Sequence, residues 1–122
     1  MDWMKGVKPP SVDHSASFAV TLGNLEVGHL RREGNEWVFS YTDAFRQQSE
    51  VKPIADFPNP AVQEYRASEL WPFFVLRIPS LKQPAVQRFL NAHSLREVDE
   101  VTLLREFGRR AIANPFELVA SS

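Results

Sequence analysis

The dipeptide Gly-Asn occurs twice, at Gly23-Asn24 and Gly34-Asn35, and around each copy the apolar residues recur at every second position. Phe18, Val20 and Leu22 alternate with Ala19 and Thr21. Leu25, Val27 and His29 alternate with Glu26 and Gly28. Trp37, Phe39 and Tyr41 alternate with Val38 and Ser40. A period of two is the pattern of a strand with one buried face. Gly at the first central position of a two-residue turn supplies the positive φ that a type II′ hairpin needs, and Asn tolerates the second position. Residues 18–41 are therefore predicted to form a three-stranded antiparallel meander. Such a meander is not stable alone, so the remaining chain must cover its apolar face.

The cover is predicted from proline placement. Residues 1–17 show no period and contain Pro9-Pro10, which reads as an N-terminal arm with Trp3 folded back on the domain. Residues 51–60 carry Pro53, Pro58 and Pro60. They cannot form a central strand or a helix interior, but they can cross the surface extended, tucking Ile54 and Phe57 inward. Residues 61–70 give no clear pattern. Pro72 suits the first turn of a helix, with Trp71 at the cap and Pro79 as the stop. Leu76 or Arg77 would follow Phe73 and Phe74, and Phe73, Phe74 and Leu76 are the expected core residues. A second helix is predicted over 84–93, with Val86, Phe89, Leu90 and His93 on one stripe. A third spans 98–107, burying Val101, Leu103, Leu104 and Phe107. Gly108 sits at its end, and Asp99, Glu100, Arg105, Arg109 and Arg110 match its dipole. Residues 111–120 return as a last strand bearing Phe116, Leu118 and Val119, at an edge or after a bend because of Asn114-Pro115. The result is one α+β domain over 18–122, a small antiparallel sheet with about three short helices.

Composition narrows the function. In 122 residues, 43% are hydrophobic and 24% charged, a globular profile for one domain. The net charge is -1, so there is no global attraction to nucleic acid. No run approaches the ~18 apolar residues of a membrane helix. The absence of cysteine fits a reducing, cytoplasmic setting. His14, His29 and His93 have no metal-ligand spacing. Phosphate-loop, dinucleotide, nucleophile-elbow and kinase motifs are missing. The acids Glu64, Glu69, Glu97, Asp99 and Glu100 and the doublets Arg31-Arg32 and Arg109-Arg110 read as solvated surface. No cofactor and no enzymatic activity are expected. The positive feature is the run Leu70-Trp71-Pro72-Phe73-Phe74. A short helix can bury only part of its circumference, so Trp71 either projects toward a partner or caps the core from above. An exposed Trp is a frequent interface hot spot.

The order of these pieces resembles the N-terminal subdomain of HipA-family Ser/Thr kinases, the toxins of bacterial toxin–antitoxin systems. Val27-Gly28-His29-Leu30 matches that family's V-G-x-L strand. Pro53, Ile54, Phe57 and Pro58 fit its P-[IL]-S-x-S-L-P-like loop, whereas Ala55 and Asp56 depart from it. Phe73, Phe74, Ile78 and Pro79 match an F-F-x-x-L-L-P helix, and Leu103, Leu104 and Gly108 match x-L-L-x-x-x-G. Asn114-Pro115 breaks the family's closing G-A strand. The likeness spans about Phe18 to Ala120. A copy ending at Ser122, without a kinase core, looks like HipS, the small component of HipBST-type systems. That resemblance implies an antitoxin that neutralises a HipT-like Ser/Thr kinase toxin by contact, with a HipB-like DNA-binding protein joined through the complex. The implied interface is Ser68, Glu69, Leu70, Trp71 and Pro72, with Trp71 directed at the kinase active site. The alternative implication is a non-inhibitory scaffold between kinase and DNA-binding protein.

Overall fold

The protein was analysed as a computed structural model, which describes residues 16–80, 82–92 and 100–121. The expectations for residues 1–15, including Trp3 and His14, and for residues 93–99 lie outside the described residues.

The meander forms as β1 (Ala16–Leu22), β2 (Leu25–Glu33) and β3 (Glu36–Tyr41). Its first strand begins two residues before the expected domain start, at Ala16. Gly23 and Gly34 have φ of 58° and 59°, as the primed hairpin turns require. Two further strands complete one antiparallel sheet. These are β4 (Tyr65–Ala67), paired with β3, and β5 (Glu117–Ala120), paired with β1, in the order β4-β3-β2-β1-β5. β5 is an edge strand, one of the two outcomes expected from Asn114-Pro115. Four short helices lie among the described residues: α1 (Asp43–Arg46), α2 (Pro72–Val75), α3 (Pro84–Ala92) and α4 (Glu100–Phe107).

The register departs from the sequence reading at one place. The β1–β2 pairing shifts between Val20 and Thr21, so that Val20 faces Gly28 while Thr21 faces Glu26. Val27 is the extra residue, and it and Gly28 are both buried. The period slips there, and His29 lies on the open face beside Ala19 and Ser40 rather than with Val27. Gly28 is where the backbone meets a ring. A Cβ added to it would stand 2.5 Å from Phe39 Cζ and 2.7 Å from Ser40 O.

On the covered face, Phe18, Leu30 and Phe39 form one row of the pleat and Val20, Gly28 and Tyr41 the next. Phe57 and Ile54, from the proline-rich loop, complete this core with Phe45, Leu70, Phe73, Phe74, Val101, Leu104 and Leu118. The inward tuck expected of Ile54 and Phe57 is seen: Phe57 has no exposure and Ile54 only 6%. Tyr41 ties the loop to the sheet. Its hydroxyl donates to Phe57 O at 2.7 Å and accepts from Ile54 N at 2.9 Å. Burial, the largest influence on this phenol, pushes its pKa up to about 12. A raised folded-state value means that the neutral phenol's contribution is complete below the ordinary value near 10 and is lost as pH rises toward 12. Denaturant midpoints measured from pH 9 to 12 are therefore expected to fall across that window. In Tyr41→Phe, already weaker by about 1–3 kcal/mol for the loop groups left unpaired, that part of the fall should vanish.

The other face of the sheet carries a network of ion pairs. Arg31 reaches Glu64 and Glu33, each at 2.5 Å, and Arg66 reaches Glu64 at 3.0 Å and Glu33 and Glu36 at 3.2 Å. Hydrogen bonding to Arg31 holds the Glu33 and Glu64 carboxyls below the usual carboxylate range. Arg32 instead lies over the Trp37 ring at 5.0 Å. The first arginine doublet is thus occupied by ion pairs and an aromatic face.

Candidate functional site

The run at 70–74 is held in place by the proline-rich loop and by the first hydrogen bonds of its own helix. Trp71 is the N-cap of α2, with extended backbone and no side-chain hydrogen bond of its own to the helix. The missing cap comes from the proline-rich loop: Asp56 Oδ2 accepts from Phe73 N at 2.8 Å. A carboxylate there satisfies an otherwise orphaned N–H and meets the positive end of the helix, each effect worth about 1 kcal/mol. Asp56, one of the two residues that depart from the expected loop pattern, therefore has a local task. Phe74 N and Val75 N both donate to Trp71 O, at 2.9 and 3.0 Å, which fixes the tryptophan backbone.

The five interface residues expected from the sequence are not equivalent. Ser68, Glu69 and Pro72 are exposed, whereas Leu70 is turned into the core with 6% exposure. Trp71 is intermediate. Its ring meets Phe57 edge-on at 4.8 Å and packs against the core, leaving part of it exposed. One edge of the indole thus closes the core, as the capping alternative expects, while the side chain stays partly exposed.

One core assignment is reversed. Leu76, expected inside, is 65% exposed, and Arg77 is 3% exposed. The reason is a set of acceptors distant in sequence. Arg77 donates to Gly108 O and Arg109 O at 3.2 Å, and to Asn114 Oδ1 and Phe116 O at 2.9 Å. Its guanidinium lies 4.9 Å from the Phe73 ring centre. All four acceptors are neutral, Nε has no partner among the described residues, and burial lowers the guanidinium pKa. Arg77 thereby fastens the end of α2 to the connection between α4 and β5. Arg77→Met keeps much of the volume but strands those carbonyls, and should cost about 2–3 kcal/mol in chemical unfolding. Arg77→Lys should recover little, because one ammonium cannot span the acceptors that the planar fork reaches.

Around α2, the described residues present few polar groups. Its accessible groups are an indole, a pyrrolidine ring, aliphatic side chains, one hydroxyl and the Glu69 carboxylate. Among the described residues no cluster of three His, Asp or Glu has metal-binding geometry, and no helix is long and apolar enough to cross a membrane. His29 bonds Glu26 on the opposite side of the sheet. What the site offers is an apolar projection with an acidic neighbour.

Comparison with known proteins agrees with this architecture. A family profile described as HipA N-terminal domain matches residues 18–113. A solved structure titled N-terminal domain of HipA toxin superposes with a TM-score of 0.57 at 17% identity, covering 88% of this chain and 93% of that one. No curated protein sequence matches the chain.

Proposed function

The chain belongs to the HipA N-terminal domain family, and from that premise we propose that it is an antitoxin that binds and neutralises a HipA- or HipT-like Ser/Thr kinase toxin. It acts by contact rather than by catalysis, in the cytoplasm, and meets a HipB-like DNA-binding protein through the kinase complex. The observation that carries this reading is Trp71: its backbone is pinned by two helix hydrogen bonds and its first turn is capped from another loop, yet its ring is incompletely covered. A side chain held in this way enters a cleft with little further loss of freedom. Lodged in the kinase active-site cleft, the indole obstructs nucleotide or substrate, or holds the lobes in an inactive arrangement.

The test is autophosphorylation of a HipA-like kinase that lacks this subdomain, with the purified chain added alone. Inhibition that saturates at stoichiometric chain is the expected result. A chain that binds while the kinase stays fully active overturns the inhibitory role and leaves a scaffold between kinase and DNA-binding protein.

A further inference from the structure

Resting on the kinase-binding reading, we infer that the docking surface is the whole outer face of α2, a ridge of Trp71, Pro72, Val75 and Leu76, with Leu76 as a second anchor beside the tryptophan. The helix hydrogen bonds from Val75 N to Trp71 O and from Leu76 N to Pro72 O, both 3.0 Å, place residue 75 over 71 and 76 over 72. Phe73, Phe74 and Arg77 take the inner face. The outer face therefore contains only apolar side chains, with Leu76 at 65% and Val75 at 43% exposure and Pro72 also exposed. Single exposed apolar residues are ordinary, but a contiguous set on one helix face indicates a surface that another molecule covers.

Size and shape choose the occupant. Four side chains, even fully covered, supply far less than the about 800 Å² per partner of a stable interface. A second copy would present the same narrow convex ridge, and two such ridges meeting bury too little to hold a dimer. The ridge fits a concave apolar groove that wraps it and adds contacts at its rim. Glu69, exposed two residues before Trp71, asks for a basic group at that end of the groove. Arg77, anchored at the other end, stops the ridge from yielding when it is gripped.

The experiment measures calorimetric affinity of the full chain for the kinase, with Leu76→Glu, Leu76→Ala and Val119→Glu as variants. Val119 lies on the open face of the sheet, beside Ala19, away from α2. Leu76→Glu should weaken binding by about 10- to 100-fold, the worth of one buried leucine. Leu76→Ala should weaken it less, and Val119→Glu should leave it unchanged, with melting temperatures of the Leu76 variants close to wild type. If Leu76→Glu melts early, Leu76→Ala decides. Wild-type affinity in the folded Leu76 variants overturns the ridge while leaving the kinase reading intact. A wild-type chain that does not bind the kinase overturns both. Self-association that Leu76→Glu abolishes, seen by sedimentation, overturns the groove and assigns the ridge to a second copy.

Discussion

Phe57→Ala should cost about 3–5 kcal/mol of unfolding free energy and lower the melting temperature by roughly 10–20 °C. Phe57 is a loop residue, and loop residues usually tolerate such changes, but here it is the hub of the core. Its ring stacks on Phe39 at 4.0 Å and touches Tyr41, Tyr65, Trp71 and Phe74 at 4.8 to 6.4 Å between centroids. Truncation opens a cavity bounded by five aromatic groups. Rings cannot collapse into it without leaving their rotamers, so the cavity persists and its cost stays near the upper range. Thermal and urea unfolding of the variant check this. A loss below about 1 kcal/mol would mean that the loop merely rests on the sheet.

Trp71→Ala should reduce affinity for the kinase by about 30- to 1000-fold, the usual effect of truncating a hot-spot tryptophan by about 2–4 kcal/mol, and should abolish inhibition of autophosphorylation. The variant carries a second effect that must be separated. The indole edge closes one side of the Phe57 cluster, so some fold stability is lost too. Trp71→Phe separates the two, because it retains an aromatic contact with Phe57 but loses the longer ring. A melting point near wild type together with weakened kinase binding places the effect at the interface. If Trp71→Ala inhibits as well as wild type, the indole is only a lid on the core.

The sequence made some parts of this molecule legible and hid others for physical reasons. The meander was visible because a half-buried sheet imposes a period of two, and because only a few residues accept the positive φ at Gly23 and Gly34. The helix starts were visible because Pro72 and Pro84 have no N–H to leave unpaired. β4 was hidden: Tyr65, Arg66 and Ala67 are too few to show a period, and only pairing with Phe39, Val38 and Trp37 makes them a strand. α1 was hidden in the same way, as a single turn capped by Thr42 with Phe45 stacked on Tyr41 at 4.4 Å. The Leu76–Arg77 reversal could not be read locally. Hydropathy ranks leucine inside, and the carbonyls that overrule it come from residues 108–116. At the site, the sequence singled out Trp71 but extended the surface backward through Leu70, whereas the exposed apolar surface continues forward to Leu76.

The trans cap on α2 bears on mimicry. A synthetic peptide copied from residues 68–79 would carry the indole and the helical stretch, but not the Asp56 carboxylate that completes the first turn or the phenol that holds the loop bearing it. At that length it would not stay helical in water. A small-molecule or peptidic substitute for this chain would need a cyclising link or staple to supply the rigidity that the surrounding domain provides.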